Sequence, residues 1–216
     1  MRFIVSTSTL LKQLLAVNGA SSSSTVLPIL ENFLFEIKSG SLTVSATDLQ
    51  TSMTTSLSVE SKEDGKVAIP SKILLETLKT LPDQPISFSV DEKTFAIEIS
   101  AGDGKYKLSG ENGEDFPKIP VVENPSSVAM PASVLSEAIN KTLFAVSGDE
   151  LRPAMTGVYC QLSPQHITFV ATDAHKLVRY RRLDTKSEAP ATFILPKKAL
   201  TLSKASLPSD DVSVAV

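Results

Sequence analysis

Residues Phe33–Asp48 read FLFEIKSGSLTVSATD, and the fold follows from them. Phe33, Phe35 and Ile37 alternate with residues facing the other way, Ser39-Gly40 supplies a two-residue turn, and Leu42, Val44 and Ala46 alternate on the way back. That pattern predicts a β-hairpin. The hairpin closes on Ala46-Thr47-Asp48, and the same three residues return as Ala171-Thr172-Asp173, 125 positions later. Leu10 and Pro28 return at that offset as Leu135 and Pro153. Downstream the offset becomes 126, since Pro70, Lys72, Leu74 and Leu81-Pro82 return as Pro196, Lys198, Leu200 and Leu207-Pro208. Chance matches scatter over many offsets; these keep one and change it once, as a single inserted residue does. The chain therefore reads as two copies of one domain, residues 1–125 and residues 126–216. The boundary is expected near Ser126, at the end of the Pro-rich stretch that begins at Asp115-Phe116-Pro117. Val216 aligns with Val90, so the second copy is expected to be incomplete.

Each copy opens on a helical pattern. Leu10, Leu11, Leu14, Leu15 and Val17 fall on one arc, with Ser/Thr candidates for the N-cap before them, Gly19 as a stop and Lys12 on the opposite face. In the second copy Leu135, Ala138 and Ile139 make the apolar stripe and Lys141 points away from it. The second hairpin runs through Val158, Cys160 and Leu162, a Ser163-Pro164 turn, then Ile167, Phe169 and Ala171, with Cys160 in the buried place of Phe35. Further helices are expected after Pro70 and Pro196. In the first, Leu74, Leu78 and Leu81 face inward while Lys72 and Lys79, two turns apart, share the outer face. Strands follow at Ile86–Val90, Phe95–Ile99 and Tyr106–Leu108. Two helices and about eight short strands per full unit make an α+β fold, helices packed on antiparallel sheet.

The composition, 42% hydrophobic and 21% charged over 216 residues, belongs to ordinary globular chains. No apolar run approaches the ~18 residues of a spanning helix and no secretory pattern opens the chain, which points to the cytoplasm. Cys160 is the only cysteine, so no intrachain disulfide can form. The net charge of −3 carries no bulk sign of nucleic-acid binding, although such a surface needs only a local concentration of Lys and Arg.

The duplicated helix-hairpin units, Leu27-Pro28-Ile29-Leu30, Asp115-Phe116-Pro117 and Ala171-Thr172-Asp173-Ala174-His175-Lys176-Leu177 together resemble the bacterial sliding-clamp family, the DNA polymerase III beta subunit. The resemblance covers the whole chain and rests on the order and separation of these motifs. It implies three such domains per protomer, paired head to tail as a homodimeric ring around duplex DNA. This chain would supply the first and most of the second, with the third absent. The implied role is a processivity factor that tethers the replicative polymerase, and takes the clamp loader and repair proteins through short linear motifs. It would be a non-catalytic subunit with neither cofactor nor metal.

The resemblance also assigns residues. Lys12, Lys72, Lys79, Lys141, Lys197 and Lys198 would line the hole, and Arg152, in the loop Gly148–Pro153, would approach DNA. Ser24 stands where relatives often carry Arg. Met155, Thr172, Ala174, His175, Lys176 and Leu177 match a peptide-binding cleft; Ala174 and Lys176 replace the Gly and Arg common in relatives. Lys105, Tyr106, Lys107 and Leu108 match the edge strand through which the ring closes.

Read without the resemblance, the same residues leave other roles open. Outward lysines also serve as plain solvated surface, and Thr-Asp-Ala-His also suits the end of a strand and its turn. A repeat scaffold binding only proteins, or a hydrolase using Asp173, His175 and a serine, are the alternatives. Against the hydrolase, the chain has no Gly-x-Ser-x-Gly elbow, phosphate-binding loop or His-Glu-x-x-His pattern, and only two histidines, His166 and His175.

Overall fold

The computed structural model describes residues 1–21, 27–120, 128–207 and 213–215. The chain divides into two units, Met1–Val121 and Val122–Val216. Ser24, Ser126, Pro208 and Val216 lie outside the described residues.

The first unit runs β1 (Arg2–Ser6), α1 (Thr7–Val17), β2 (Asn32–Lys38), β3 (Ser41–Thr47), β4 (Ser52–Ser58), β5 (Glu60–Ser61), β6 (Gly65–Pro70), α2 (Ser71–Thr80), β7 (Pro85–Val90), β8 (Ala96–Ala101), β9 (Gly104–Ser109) and β10 (Glu111–Asn112). Its strands form two five-stranded antiparallel sheets, ordered β5-β1-β7-β8-β9 and β10-β6-β2-β3-β4. The expected hairpin is β2–β3, with Lys38 opposite Ser41 and Ile37 opposite Leu42. Its two loop residues, Ser39 (φ 50°) and Gly40 (φ 78°), both take positive φ, the signature of a type I′ turn that matches the strands' own twist.

Phe35, from β2, meets Phe3 of β1 and Phe88 of β7 between the two sheets. The rings of Phe3 and Phe88 stack at 4.7 Å and 6°. All three are essentially inaccessible to solvent, and each such burial contributes roughly 1.5–3 kcal/mol. Phe116 is also buried, against Ile29, Leu34 and Ala68. The Asp115-Phe116-Pro117 stretch read as the start of a linker is thus anchored in this unit's core.

The helices are narrower on their apolar side than the leucine pattern suggests. In α1 the buried residues are Thr7, Leu10, Leu14 and Val17, while Leu11 is half-buried and Leu15 is 48% exposed. Gly19 does not stop this helix; the chain continues as a 3-10 turn over Asn18–Ala20. Ser6, at the N-cap, makes no capping bond to the helix and donates to Asp83 Oδ1 instead, at 2.9 Å. In α2 the inner stripe is Leu74, Leu75 and Leu78, and Leu81 lies past the end, partly exposed.

The second unit runs β11 (Ala129–Pro131), α3 (Ala132–Thr142), β12 (Gly157–Leu162), β13 (Ile167–Thr172), β14 (Leu177–Arg182), β15 (Ala191–Pro196), α4 (Lys197–Ser206) and β16 (Ser213–Ala215). The sheet β14-β13-β12-β15 repeats the order β4-β3-β2-β6, and β11 pairs with β16 as β1 does with β7. Both ends of α3 lie 125 residues after those of α1, and both ends of α4 lie 126 after those of α2. The inserted residue falls between β14 and β15, where residues 183–190 replace 58–64. The β12–β13 connection is a four-residue loop, Ser163–His166, longer than the expected Ser163-Pro164 turn. Cys160 is buried in this unit's core with Leu135, Ile139 and Phe169, as expected of the position equivalent to Phe35.

Candidate functional site

The cations expected to meet DNA all reach solvent. Lys12 on α1, Lys72 and Lys79 on α2, Lys141 on α3, Arg152 in the loop before β12, and Lys197 and Lys198 on α4 are exposed. Within each unit its two helices pack together, α1 on α2 and α3 on α4. Lys12, Lys72, Lys79, Lys141 and Lys197 make no ion pair with a described residue.

Position along the helix separates these lysines. Lys79 and Lys141 sit in last turns, where the carbonyl end of the helix dipole favours a cation locally. Lys72 is the second residue of α2 and Lys198 the second of α4, at the end where the dipole favours an acidic residue, and neither first turn contains one. The two units thus keep a cation at one equivalent place against the local preference. Lys12 does not recur in this way. Its position in the second unit is held by Glu137, whose Oε2 pairs with Arg182 Nη1 at 2.8 Å. Lys72 stands on a cleft of about 530 Å³ that also holds Pro28, Glu31, Asn32, Pro70 and Glu111.

Arg152 is tethered. Its Nε donates to Asp149 Oδ2 at 2.8 Å, its backbone N–H to Asp149 O at 3.1 Å, and Leu151 N–H to Asp149 Oδ1 at 3.0 Å. The guanidinium bond, with the Leu151 amide, holds the Asp149 carboxyl below its usual range. Leu151 at the tip of this loop is 92% exposed.

Five of the six residues expected to take a peptide come from one β-turn between β13 and β14. Thr172 Oγ1 donates to Lys176 O at 2.8 Å and accepts from Ala174 N–H at 3.1 Å, and Asp173 Oδ1 accepts from the N–H groups of His175 and Lys176 at 3.1 and 2.9 Å. Lys176 Nζ also bonds Asp173 Oδ2, and this with the two amides holds the Asp173 carboxyl well below the ordinary carboxylate range. Ala174 takes φ 75°, a left-handed conformation that glycine adopts far more readily than alanine. Thr172 and Asp173 are committed to building the turn, which presents Ala174, His175 and Leu177 to solvent, Leu177 at 68% exposure. Met155 arrives separately, on the 3-10 turn Pro153–Met155 just before β12. The register Tyr159 opposite Val170 brings the start of β12 to the same sheet end as that turn.

The two histidines do not form a site together. His166 precedes β13 and His175 follows it, so a strand of six residues, ~20 Å, separates them. Burial pushes the Cys160 thiol up to about 12, which leaves it un-ionised and inert at neutral pH.

Lys105, Tyr106, Lys107 and Leu108 occupy β9, the outer strand of its sheet. Tyr106 and Leu108 are half-buried opposite Ile99 and Ile97, while Lys105 and Lys107 face solvent, Lys105 Nζ at 3.2 Å from Glu98 Oε1. Sequence reasoning passed over other outer strands, β4 and β14 among them. The run Arg179-Tyr180-Arg181-Arg182 was the available signal for β14. Arg179 and Arg181 are exposed there, while Arg182 is engaged by Asp184, Glu137 and Tyr180.

Comparison with known proteins follows the same two-part division. Residues 1–120 match the profile described as DNA polymerase III beta subunit, N-terminal domain, and residues 129–216 that of the central domain. The chain is 30% identical over 221 residues to the beta sliding clamp of Staphylococcus epidermidis, covering 98% of this chain and 58% of that protein. To the beta sliding clamp of Halalkalibacterium halodurans it is 29% identical over 216 residues, covering 94% of this chain and 57% of the relative. Among solved structures, the DNA polymerase sliding clamp of Bacillus subtilis shares the fold at TM-score 0.93 and 24% identity, with all of this chain and 59% of that one covered. The DNA polymerase III subunit beta of Pseudomonas aeruginosa superimposes at TM-score 0.91 and 26% identity, over 100% of this chain and 59% of the other. The chain thus spans just under three-fifths of the length of these relatives. With both profiles matched in order and nearly end to end, the chain belongs to the DNA polymerase III beta subunit family.

Proposed function

We propose that this chain is the DNA-holding part of a polymerase processivity factor, a sliding clamp that encircles duplex DNA as a homodimeric ring and tethers the polymerase without turnover of its own. The observation that carries this reading is the pair Lys72 and Lys198. A cation kept at the amide end of equivalent helices, against the helix dipole, serves something other than the helix. Lys12, Lys79, Lys141, Lys197 and Arg152 complete the phosphate-facing set. Contacts of this kind hold the backbone electrostatically without reading bases, which a protein that must slide requires.

The partner surface is assigned to Met155, Thr172, Ala174, His175, Lys176 and Leu177. Leu177 and Met155 would receive apolar anchors of a linear motif, and the turn built by Thr172 and Asp173 would hold His175 at the rim. The polymerase, the clamp loader and repair proteins are the proposed users. Ring closure is assigned to β9: Lys105, Tyr106, Lys107 and Leu108 would add to a sheet edge of the other protomer, their lysines meeting acidic side chains. In this reading residues 1–125 and 126–216 are the first clamp domain and part of the second, acting in the cytoplasm.

The test is duplex binding by anisotropy as salt is raised. Lys72→Gln with Lys198→Gln is expected to weaken binding and to lower the slope of log affinity against log salt by about 1 per lysine. An unchanged slope would remove these lysines from the interface. For the ring, the full-length three-domain clamp with its polymerase should stay on nicked circular DNA and leave the linearised form, and equal retention on both would refute encirclement.

A further inference from the structure

In the second unit, Ile139, Asn140, Leu143, Phe144, Lys197 and Lys204 line a groove of about 350 Å³ between α3 and α4. Phe144 is 63% exposed, an unusual state for a phenyl ring held by well-packed backbone. The 3-10 turn Leu143–Ala145 holds it there: Ala145 and Val146 are buried, Val146 N–H closes the turn on Leu143 O at 3.3 Å, and the residue between must point outward. The equivalent position in the first unit is Gly19, so the ring belongs to the second copy alone. Lys197 and Lys204 are seven residues apart on α4, hence on one face and about 10 Å apart along the axis. Among the described residues, no carboxylate lines the groove.

An aromatic face flanked by two cations, with an amide from Asn140 beside it, matches one ligand chemistry: a flat base joined to phosphates on either side. A paired base offers no free face. We propose that this groove takes one unpaired nucleotide, its base stacked on Phe144 and its flanking phosphates at Lys197 and Lys204. This rests on the reading of the α3–α4 face as DNA-facing and adds to it a preference for single-stranded over duplex segments.

The chain contains no tryptophan, so Phe144→Trp installs a sole reporter in the groove. Oligothymidylate is expected to quench its emission, and an abasic strand of the same length and charge is not. Phe144→Ala is expected to weaken oligothymidylate binding about fivefold or more while duplex affinity holds. Equal quenching by the abasic strand, or single-strand and duplex affinities that stay unchanged or fall together in Phe144→Ala, would overturn the proposal. Absence of duplex binding by the unmodified chain would instead strike the clamp reading, leaving the groove to be judged on the single-strand results alone.

Discussion

Asp48 and Asp173, 125 residues apart, do the same work. Asp48 Oδ1 accepts from the N–H groups of Gln50 and Thr51 at 3.0 and 2.6 Å, as Asp173 Oδ1 does from His175 and Lys176 at 3.1 and 2.9 Å. The preceding threonines match too: Thr47 Oγ1 accepts from Leu49 N–H as Thr172 Oγ1 does from Ala174 N–H, both at 3.1 Å. Leu49 and Ala174 then share φ near 75°. The Ala-Thr-Asp repeat is a turn-building device kept in both copies.

Removing that device has a pH-dependent cost. The folded Asp173 carboxyl is held below its unfolded value of about 3.9, so its contribution is full above that pH and is lost as pH falls through the folded value. Asp173→Ala is expected to melt below the wild type at neutral pH, with the gap closing in acid. Asp173→Asn, which keeps an acceptor, should fall between them. Melting curves across pH check this, and a gap independent of pH would remove the carboxylate from the account.

Two glycines near the candidate sites should respond unequally to alanine. A Cβ at Gly157 would lie 2.5 Å from Leu195 O and 2.6 Å from Ile194 Cγ2, and the Gly157–Pro196 pairing with Lys197 N–H on Thr156 O at 3.2 Å leaves the backbone little room to retreat. Gly157→Ala is expected to cost roughly 1–3 kcal/mol in urea unfolding. Gly148 has nothing within 4 Å of such a Cβ, so Gly148→Ala should stay within about 0.5 kcal/mol of wild type.

Cys160 should behave as a core residue. With its thiol pushed up to about 12 and its side chain enclosed, a disulfide reagent at neutral pH should label the chain only as fast as it unfolds. Immediate labelling of the native chain would contradict the burial.

Asp149 restrains Arg152, and releasing it should be measurable in DNA binding. Asp149→Asn keeps an acceptor for the Leu151 amide but removes the charge opposing the guanidinium. Duplex affinity is expected to rise, with a salt slope steeper by up to about 1, whereas Arg152→Ala should make it shallower. Identical slopes for all three proteins would place this loop away from phosphates.

The hairpins were legible because a two-residue period and a Ser39-Gly40 turn leave little choice of conformation. The helix faces were less so. In Leu10-Leu11 and Leu14-Leu15 every member is equally apolar, and only packing decides that Leu10 and Leu14 go in while Leu15 stays out. Positive φ at Leu49 and Ala174 could not be read either, since neither residue type advertises it. In the candidate site, the recurrence of Lys72 as Lys198 was plain from the offset, but their conflict with the helix dipole needed helix ends placed to the residue. That Met155 and the 173–176 turn lie toward the same end of the sheet depends on strand register, which no local pattern carries.

The extra residue between β14 and β15 marks where this architecture tolerates a change of length. On either side of it, helices and strands keep step across 125 or 126 residues. Thr185 and Ser187 are buried in this segment, while Glu188, Ala189 and Pro190 are open to solvent. A fluorophore loop or affinity tag for following the protein on DNA therefore has a natural address just after Glu188. There the shorter copy shows what the sheet needs, and the longer one shows that it survives more.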